Sequence, residues 1–442
     1  MKKRTIVIMF LMGYGMIAQT FNKQKLDSLF NLIETNNKGM GSISIFHEGK
    51  EVYQNCIGYA DVENNREASK NTKYRIGSIT KTYTATMIMQ LVDEKKITLT
   101  TTIDTYFPLV PNADKITIGH LLKHRSGLYN ITDDVDFVNW MVLPQTRNQM
   151  IARVIKSESQ FTPNSKTEYS NTNYLLLSYI IEDIEKKTYA QVLQSKIVKP
   201  CRLRNTYYGS KIDTKNNEAL SYELEDKWNP SIETDMSVPL GAGGIVSTSS
   251  DVNAFYDHLF EGKLISREAL NKMKIIDGGL GMGLMMLPFQ DKKVYGHHGK
   301  IDGFQSLSGY FINEKIGITY IANGVVLPIE SIVLGALQIY SGEDYKLPDF
   351  KPTAKLKEAQ LKSYFGVYSS PNFPLVIEII QKDGVLLAQA TGKPLLPLEP
   401  VGENKFKSDR AMLTLRFVPE EDKMFFERGN QKQVLVRKPK EQ

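Results

Sequence analysis

Tyr74-Arg75-Ile76-Gly77-Ser78-Ile79-Thr80-Lys81 sets a hydroxyl and an amine three residues apart at the head of an apolar-periodic segment. Over residues 80–94, Ala85, Ile88, Met89, Leu91 and Val92 fit a mostly buried helix, and Lys95 and Lys96 suit its C-terminal end. One turn of that helix puts Lys81 beside Ser78. A serine hydroxyl is a weak nucleophile at its own pKa, and a desolvated, neutral amine can take its proton. At a helix N-terminus a developing oxyanion is also favoured. The same spacing occurs at ordinary helix starts, where a Ser caps and a Lys meets solvent. The pair alone does not separate these readings, so its meaning depends on the rest of the chain.

On the N-terminal side, residues 42–47 and 51–57 alternate apolar and polar around Glu48-Gly49-Lys50, a β-hairpin. On the C-terminal side, residues 116–122 continue as a helix with His120 and His124 four apart. That spacing can bind zinc, but no Glu follows the first His and no further ligand is evident, so packing or hydrogen bonding is the expected role. Ser126-Gly127-Leu128-Tyr129-Asn130 is turn chemistry, and Asp133, Asp134 and Asp136 read as a solvated loop. Tyr169-Ser170-Asn171 stands before an apolar-periodic helix over 174–184, where Tyr169 and Asn171 either face one cleft or serve as a buried Tyr and a helix cap. The Gly241–Gly244 turn lacks the Lys of a phosphate loop and the spacing of a dinucleotide fingerprint, and is read as close backbone packing. Strands over 305–312 and 316–323 follow His297-His298-Gly299-Lys300, and a helix over 329–340 closes this part. Strands at both ends with helices between predict an α+β unit whose first and last strands meet in one sheet.

With 442 residues the chain is long enough for two or three domains. Residues 1–18 read as a secretory signal, with Lys2, Lys3 and Arg4, an apolar stretch over 6–17, and Ala18 before Gln19 as the cleavage point. Residues 19–345 form the first domain, 346–357 a linker rich in Pro and Lys, and 358–442 a small all-β domain, a barrel or sandwich. Six strands are expected in the last part, over 365–368, 375–380, 385–390, 411–417, 424–428 and 434–437, with hairpin turns at Asp383-Gly384 and Gly429-Asn430. Half of the net charge of +6 lies in the first four residues, which gives no argument for nucleic acid. Cys56 and Cys201 are expected to be unpaired and buried. No other stretch approaches a membrane span, so after removal of the signal the protein is expected to be periplasmic or secreted.

Ser78-x-x-Lys81, Tyr169-x-Asn171 and His297-x-Gly299, in this order, resemble the serine β-lactamase and penicillin-binding-protein superfamily, in particular the branch of class C β-lactamases, D-alanyl-D-alanine peptidases, D-aminopeptidases and esterases. His120-Leu121-Leu122-x-His124-x-Ser126-Gly127-Leu128 and Gly296-His297-x-Gly299-x-x-x-Gly303-Phe304 agree with it, and the tail resembles the lipocalin-like domain of many bacterial members. The resemblance implies an antiparallel sheet flanked by helices. It implies Ser78 as nucleophile, activated by Lys81 and by Tyr169 acting as phenolate or proton relay. Asn171 would hold the substrate amide or the Lys81 amine, and His297 and Gly299 would lie along the substrate. The oxyanion hole would be the backbone N–H groups of Ser78 and Lys300.

Neither metal nor organic cofactor is implied. The partner is a small-molecule or peptide substrate, and the oligomeric state is left open. His297 stands where many relatives carry Lys, a pattern of peptidases and esterases more than of class C β-lactamases, and supplies a positive charge only below about 6.5. Asn164 and Lys300 stand where relatives often have Gly. The expected function is therefore an exported serine hydrolase of D-amino-acid peptides, β-lactams or small esters, with peptidase or esterase favoured. The competing expectation is an inactive binder of cell-wall peptides or a partner protein in the same cleft. Against it stands the fact that no catalytic group has been lost.

Overall fold

The expected hairpin forms between strands Gly39–His47 and Lys50–Ile57. Its first strand is closed on the other side by Ile316–Val325, in antiparallel register from Gly39↔Val325 to His47↔Ile316. The computed structural model in which this is seen describes residues 21–225, 227–289, 291–350, 358–382, 385–393, 395–408, 411–428 and 431–438. The first and last strands of the α+β unit thus do meet. The sheet has six strands in the order Met285–Phe289, Lys292–Ile301, Phe304–Phe311, Ile316–Val325, Gly39–His47, Lys50–Ile57.

Two apolar layers cover the sheet. Helices Lys23–Thr35 and Ile329–Tyr340 pack on one face through Leu26, Phe30, Ile332 and Ala336. On the other face lies the larger core, to which helices Thr80–Asp93, Asn171–Glu185 and Ser249–Phe260 contribute Ile88, Leu176, Ile180 and Phe255. Burying each such side chain contributes about 1.5–3 kcal/mol before entropy is counted. Among the described residues no helix is long and apolar enough to cross a membrane.

Beyond residue 365 the chain forms a closed barrel of eight antiparallel strands, from Gly366–Ser370 to Gln431–Arg437. Six of them match the sequence expectation. The two it missed are Leu396–Gly402 and Lys405–Ser408. Pro397 and Pro400 interrupt the alternation in the first, and the second has four residues, so neither carries the usual strand signature. The expected turns at 383–384 and 429–430, the signal over 1–18 and linker residues 351–357 lie outside the described residues. Both cysteines are free thiols, as expected, but only Cys201 is fully buried, and Cys56 is half-buried on the hairpin.

Candidate active site

Ser78 lies in a single 3-10 turn, Gly77–Ile79, that runs directly into helix Thr80–Asp93. Two glycines let this turn lie against strand Lys292–Ile301. Gly77 has φ +52°, and a Cβ there would come 2.7 Å from the Lys300 nitrogen. A Cβ on Gly299 would come 2.1 Å from the Ile76 carbonyl oxygen, which instead accepts a 2.8 Å hydrogen bond from the Ser306 hydroxyl. The outer strand Met285–Phe289 pairs no further than Met285↔Gly296. Residues 297–301 therefore have an open edge, and the Lys300 backbone reaches the nucleophile turn along it.

No side-chain cap bond forms at the start of the turn or of the helix that follows. The Ser78 Oγ lies 2.9 Å from the Lys81 Nζ and 2.8 Å from the Tyr169 hydroxyl. This decides between the two readings of the spacing: Ser78 is not a helix cap. Lys81 is wholly buried, at 0% exposure, and burial pushes its amine well below the usual lysine range. Its Nζ also donates to the Asn171 Oδ1 at 2.8 Å and to the Ala242 carbonyl at 2.7 Å. A neutral amine has two N–H groups and one lone pair. The Asn171 oxygen and the Ala242 carbonyl can only accept, so in that neutral form they take both protons and the lone pair faces the Ser78 O–H.

Tyr169 is the second group on Ser78. Burial raises its phenol above the ordinary value near 10, so it stays protonated and donates to the Ser78 Oγ. Asn171 is oriented from behind: its backbone N–H donates to the Asn130 Oδ1 at 2.9 Å, and its Nδ2 donates to the Thr132 hydroxyl at 3.1 Å. His297 is 2% exposed, with its ring 6.3 Å from that of Tyr169. Its Nδ1–H donates to the His298 carbonyl at 2.5 Å. Burial lowers its pKa to about 3, so His297 carries no charge at neutral pH. His124, expected to pack or to hydrogen-bond, does both. It stacks on Tyr169 at 4.5 Å and accepts the Ser170 backbone N–H on Nδ1 at 3.1 Å. Its neighbour His120 completes a capping box on helix Ile118–Leu122.

Residues 31–331 match the family model described as Beta-lactamase, about two thirds of the sequence. The chain belongs to the beta-lactamase family. This beta-lactamase-family chain is 26% identical to Penicillin-binding protein 4* of Bacillus subtilis (strain 168), over 92% of each chain. It is 27% identical to the teichoic acid D-alanine hydrolase of Staphylococcus aureus, over 57% of this chain and 60% of the relative. The octameric penicillin-binding protein homologue of Pyrococcus abyssi superposes with TM-score 0.66 at 26% identity, covering 93% of this chain and 99% of the other. The D-amino acid amidase of Ochrobactrum anthropi SV3, complexed with D-phenylalanine, shares the fold with TM-score 0.66 at 24% identity, over 72% of this chain and 98% of that one. The chain is thus a serine-hydrolase-type enzyme of the β-lactamase fold, related to penicillin-binding proteins and D-alanine hydrolase.

Several groups that pack around Ser78, Lys81 and Asn171 have no motif of their own in the sequence. The Ala242 carbonyl sits in the glycine-rich turn, where a Cβ on Gly241 would come 2.2 Å from the Ser178 Oγ, so close packing there is what delivers the carbonyl to Lys81. Asn130 came from a segment read only as turn chemistry, and Thr132 from the unassigned stretch that follows it. Arg75, wholly buried one residue before Ile76, pairs with Asp302 at 2.8 Å and Glu233 at 2.5 Å, tying the turn after strand Lys292–Ile301 to the nucleophile stretch. Its position beside the motif is the one signal that could have singled it out. Asn164 has φ +69°, a left-handed conformation that Asn tolerates and that fits a place where relatives often have Gly.

Proposed function

We propose that this protein is an exported serine hydrolase that forms an acyl-enzyme on Ser78 and acts on amides or esters of D-configured amino acids. The observation that carries this is Ser78 Oγ held between the Lys81 amine, whose pKa burial lowers, and the Tyr169 hydroxyl. In acylation the Ser78 oxygen attacks the substrate carbonyl while its proton passes to the Lys81 lone pair. The oxyanion is met by the backbone N–H groups of Ser78 and Lys300. Tyr169 gives its proton to the leaving nitrogen or oxygen as Lys81 returns one to it, so Tyr169 is a relay and never a free phenolate. Water then attacks the acyl carbon, its proton follows the same two groups back, and Ser78 leaves as the alcohol. Asn171 and the Ala242 carbonyl orient the amine. Asn171 is a positioning residue for Lys81, since its Oδ1 and Nδ2 are both engaged within the protein.

The D-amino-acid class is supported by what two similar proteins have in common in their names, teichoic acid D-alanine and D-amino acid amide. Export to the cell envelope is supported by the basic and then apolar first 18 residues. A dedicated β-lactamase is disfavoured because His297, uncharged, cannot supply the cation that a β-lactam carboxylate meets in Lys-bearing relatives. The test is a fluorophosphonate or fluorescent penicillin followed by intact mass. One adduct on wild type and none on Ser78→Ala is expected; equal labelling of Ser78→Ala, or none of wild type, refutes the proposal. In a panel of D-alanyl peptides, short esters and a cephalosporin, kcat/KM for the p-nitrophenyl ester should exceed that for the cephalosporin. The reverse order would restore the β-lactamase reading.

A further inference from the structure

Residues 161–168 run straight into Tyr169, and the Arg125 guanidinium holds them with all three of its nitrogens. Nε donates to the Asn164 Oδ1 at 2.7 Å and Nη2 to the Asn164 carbonyl, while Nη1 donates to the Thr167 hydroxyl at 2.9 Å and pairs with Asp277. Asn164, left-handed where relatives often have Gly, thus brings an acceptor that glycine lacks. Two 2.8 Å backbone bonds already dock this stretch, from the Asn164 N–H to the Arg125 carbonyl and from the Glu168 N–H to the His124 carbonyl. The Arg125 side chain adds something different, a link to Asp277.

That link leads to Lys81. Asp277 and Leu280 close a turn by backbone bonds in both directions, at 2.9 and 3.1 Å, and the chain then reaches Gly283. The Gly283 carbonyl accepts from the Thr82 hydroxyl at 2.7 Å, and a Cβ on Gly283 would come 2.7 Å from the Lys81 carbonyl oxygen. Residues 277–283 therefore pack on the first turn of the nucleophile helix, while Arg125 ties their outer end to the stretch before Tyr169. Inside this frame the Lys81 Nζ lies 4.8 Å from the centre of the Tyr169 ring, and both groups reach the Ser78 Oγ. Among the described residues every side-chain partner of Arg125 belongs to the loop or the turn, and none to the reacting groups.

We propose that Arg125 is a positioning residue: by tying the loop before Tyr169 to the turn that packs on Lys81, it holds the Tyr169 hydroxyl where it can protonate a poor leaving group. This rests on the acyl-enzyme reading given above. Asp277 is 59% exposed at the side chain, so the ion pair is screened by solvent as a pair of charges. The planar fork onto Asn164, Thr167 and Asp277 is what fixes the geometry, and a lysine cannot reproduce it.

The test compares one acyl group on two leaving groups: the methyl ester of N-acetyl-D-alanine, whose oxygen must be protonated to leave, and the p-nitrophenyl ester, whose oxygen leaves as the anion. In both, kcat/KM reads acylation. Arg125→Met should lower it about tenfold on the methyl ester, part of what a positioned general acid contributes, and no more than about twofold on the p-nitrophenyl ester. Arg125→Lys should show nearly the same split. Asp277→Asn and Asn164→Gly, which cut the network from its other ends, should show smaller splits in the same direction. Equal falls on both esters in Arg125→Met and Asp277→Asn, or no fall, overturn the proposal. A second readout needs no turnover: with 3-fluorotyrosine in place of Tyr169, the fluorine NMR line should be single and sharp beside Arg125 and shift or broaden in Arg125→Met. Wild type that turns over neither ester while the line moves sinks the hydrolase and spares Arg125. Turnover of both esters with no split and a fixed line does the opposite.

Discussion

The unit that carries Ser78 and the C-terminal barrel solve burial in opposite ways. Inside the first, Lys81, His124, Asn173, Arg75 and His297 are all buried, and the first four are held by hydrogen bonds or ion pairs that arrive from remote parts of the chain. In the barrel, among the described residues, Ser408 is the only polar member of the buried set. Its interior is filled by side chains such as Tyr368, Leu415, Phe417 and Met424. Apolar burial stabilises by area alone. Buried bases cost free energy and remain only where geometry compensates them. The contrast locates the chemistry without reference to any relative: one region is arranged for stability, and the other holds groups that stability alone would not select.

The largest way to break this comparison is Lys81→Met, which keeps volume and removes the base. Activity on a D-alanyl ester should fall about a thousandfold, within the range for a positioned general base, while the melting temperature changes little or rises. A variant retaining a tenth of wild-type activity would remove Lys81 from the proton path.

The converse substitution is Leu415→Ala in the barrel, a fully buried position. It should cost about 2–5 kcal/mol of barrel stability and leave kcat/KM at 25 °C within about twofold. Denaturant melts followed by barrel-specific and site-specific probes would show this, and a parallel loss of activity would mean that the barrel shapes the cleft.

Acid should separate the regions further. All six histidines lie before residue 299, and the barrel has none. His297 is held down to about 3 and His124 is also lowered, both first by burial, so the unfolded chain binds protons that the native state refuses. The stability they contribute is present above about pH 6.5 and is lost as pH falls toward 3. Melting temperature followed at the active site should therefore drop across that window, with a shallower slope in His297→Gln. An identical slope in the variant would assign the loss to other groups.

The smallest effect is expected at a contact between the two regions. Lys38, 7% exposed at the side chain, pairs with the half-exposed Glu399 of the barrel at 2.5 Å. Glu399→Gln should change stability by no more than about 1 kcal/mol. A larger shift would mean that the buried Lys38 ammonium depends on the Glu399 charge.

Much of this was legible in residue order. Helix 329–340 was read with its observed bounds, and the sheet's closure by first and last strands followed from strands at both ends of a helical stretch. The barrel's two missing strands were hidden by Pro397, Pro400 and shortness, because strand signals are local and these strands are specified by their neighbours.

The site divides along the same line. The Ser78 to Lys81 spacing is covalent, and a helical turn needs nothing remote to bring the two together, so the sequence alone determined that pair. Whether Lys81 is a base or a surface cation depends on solvation, which is set by Asn171, Ala242 and the core around them, 90 and 161 residues away. The sequence allows His297 a charge below about pH 6.5, and the fold lowers its pKa to about 3 for the same reason. Gly299 shows the limit in its simplest form. Its missing side chain is visible in the sequence, but only the tertiary structure puts the Ile76 carbonyl 2.1 Å from where a Cβ would be, because which backbone lies against a strand is decided by packing between distant segments.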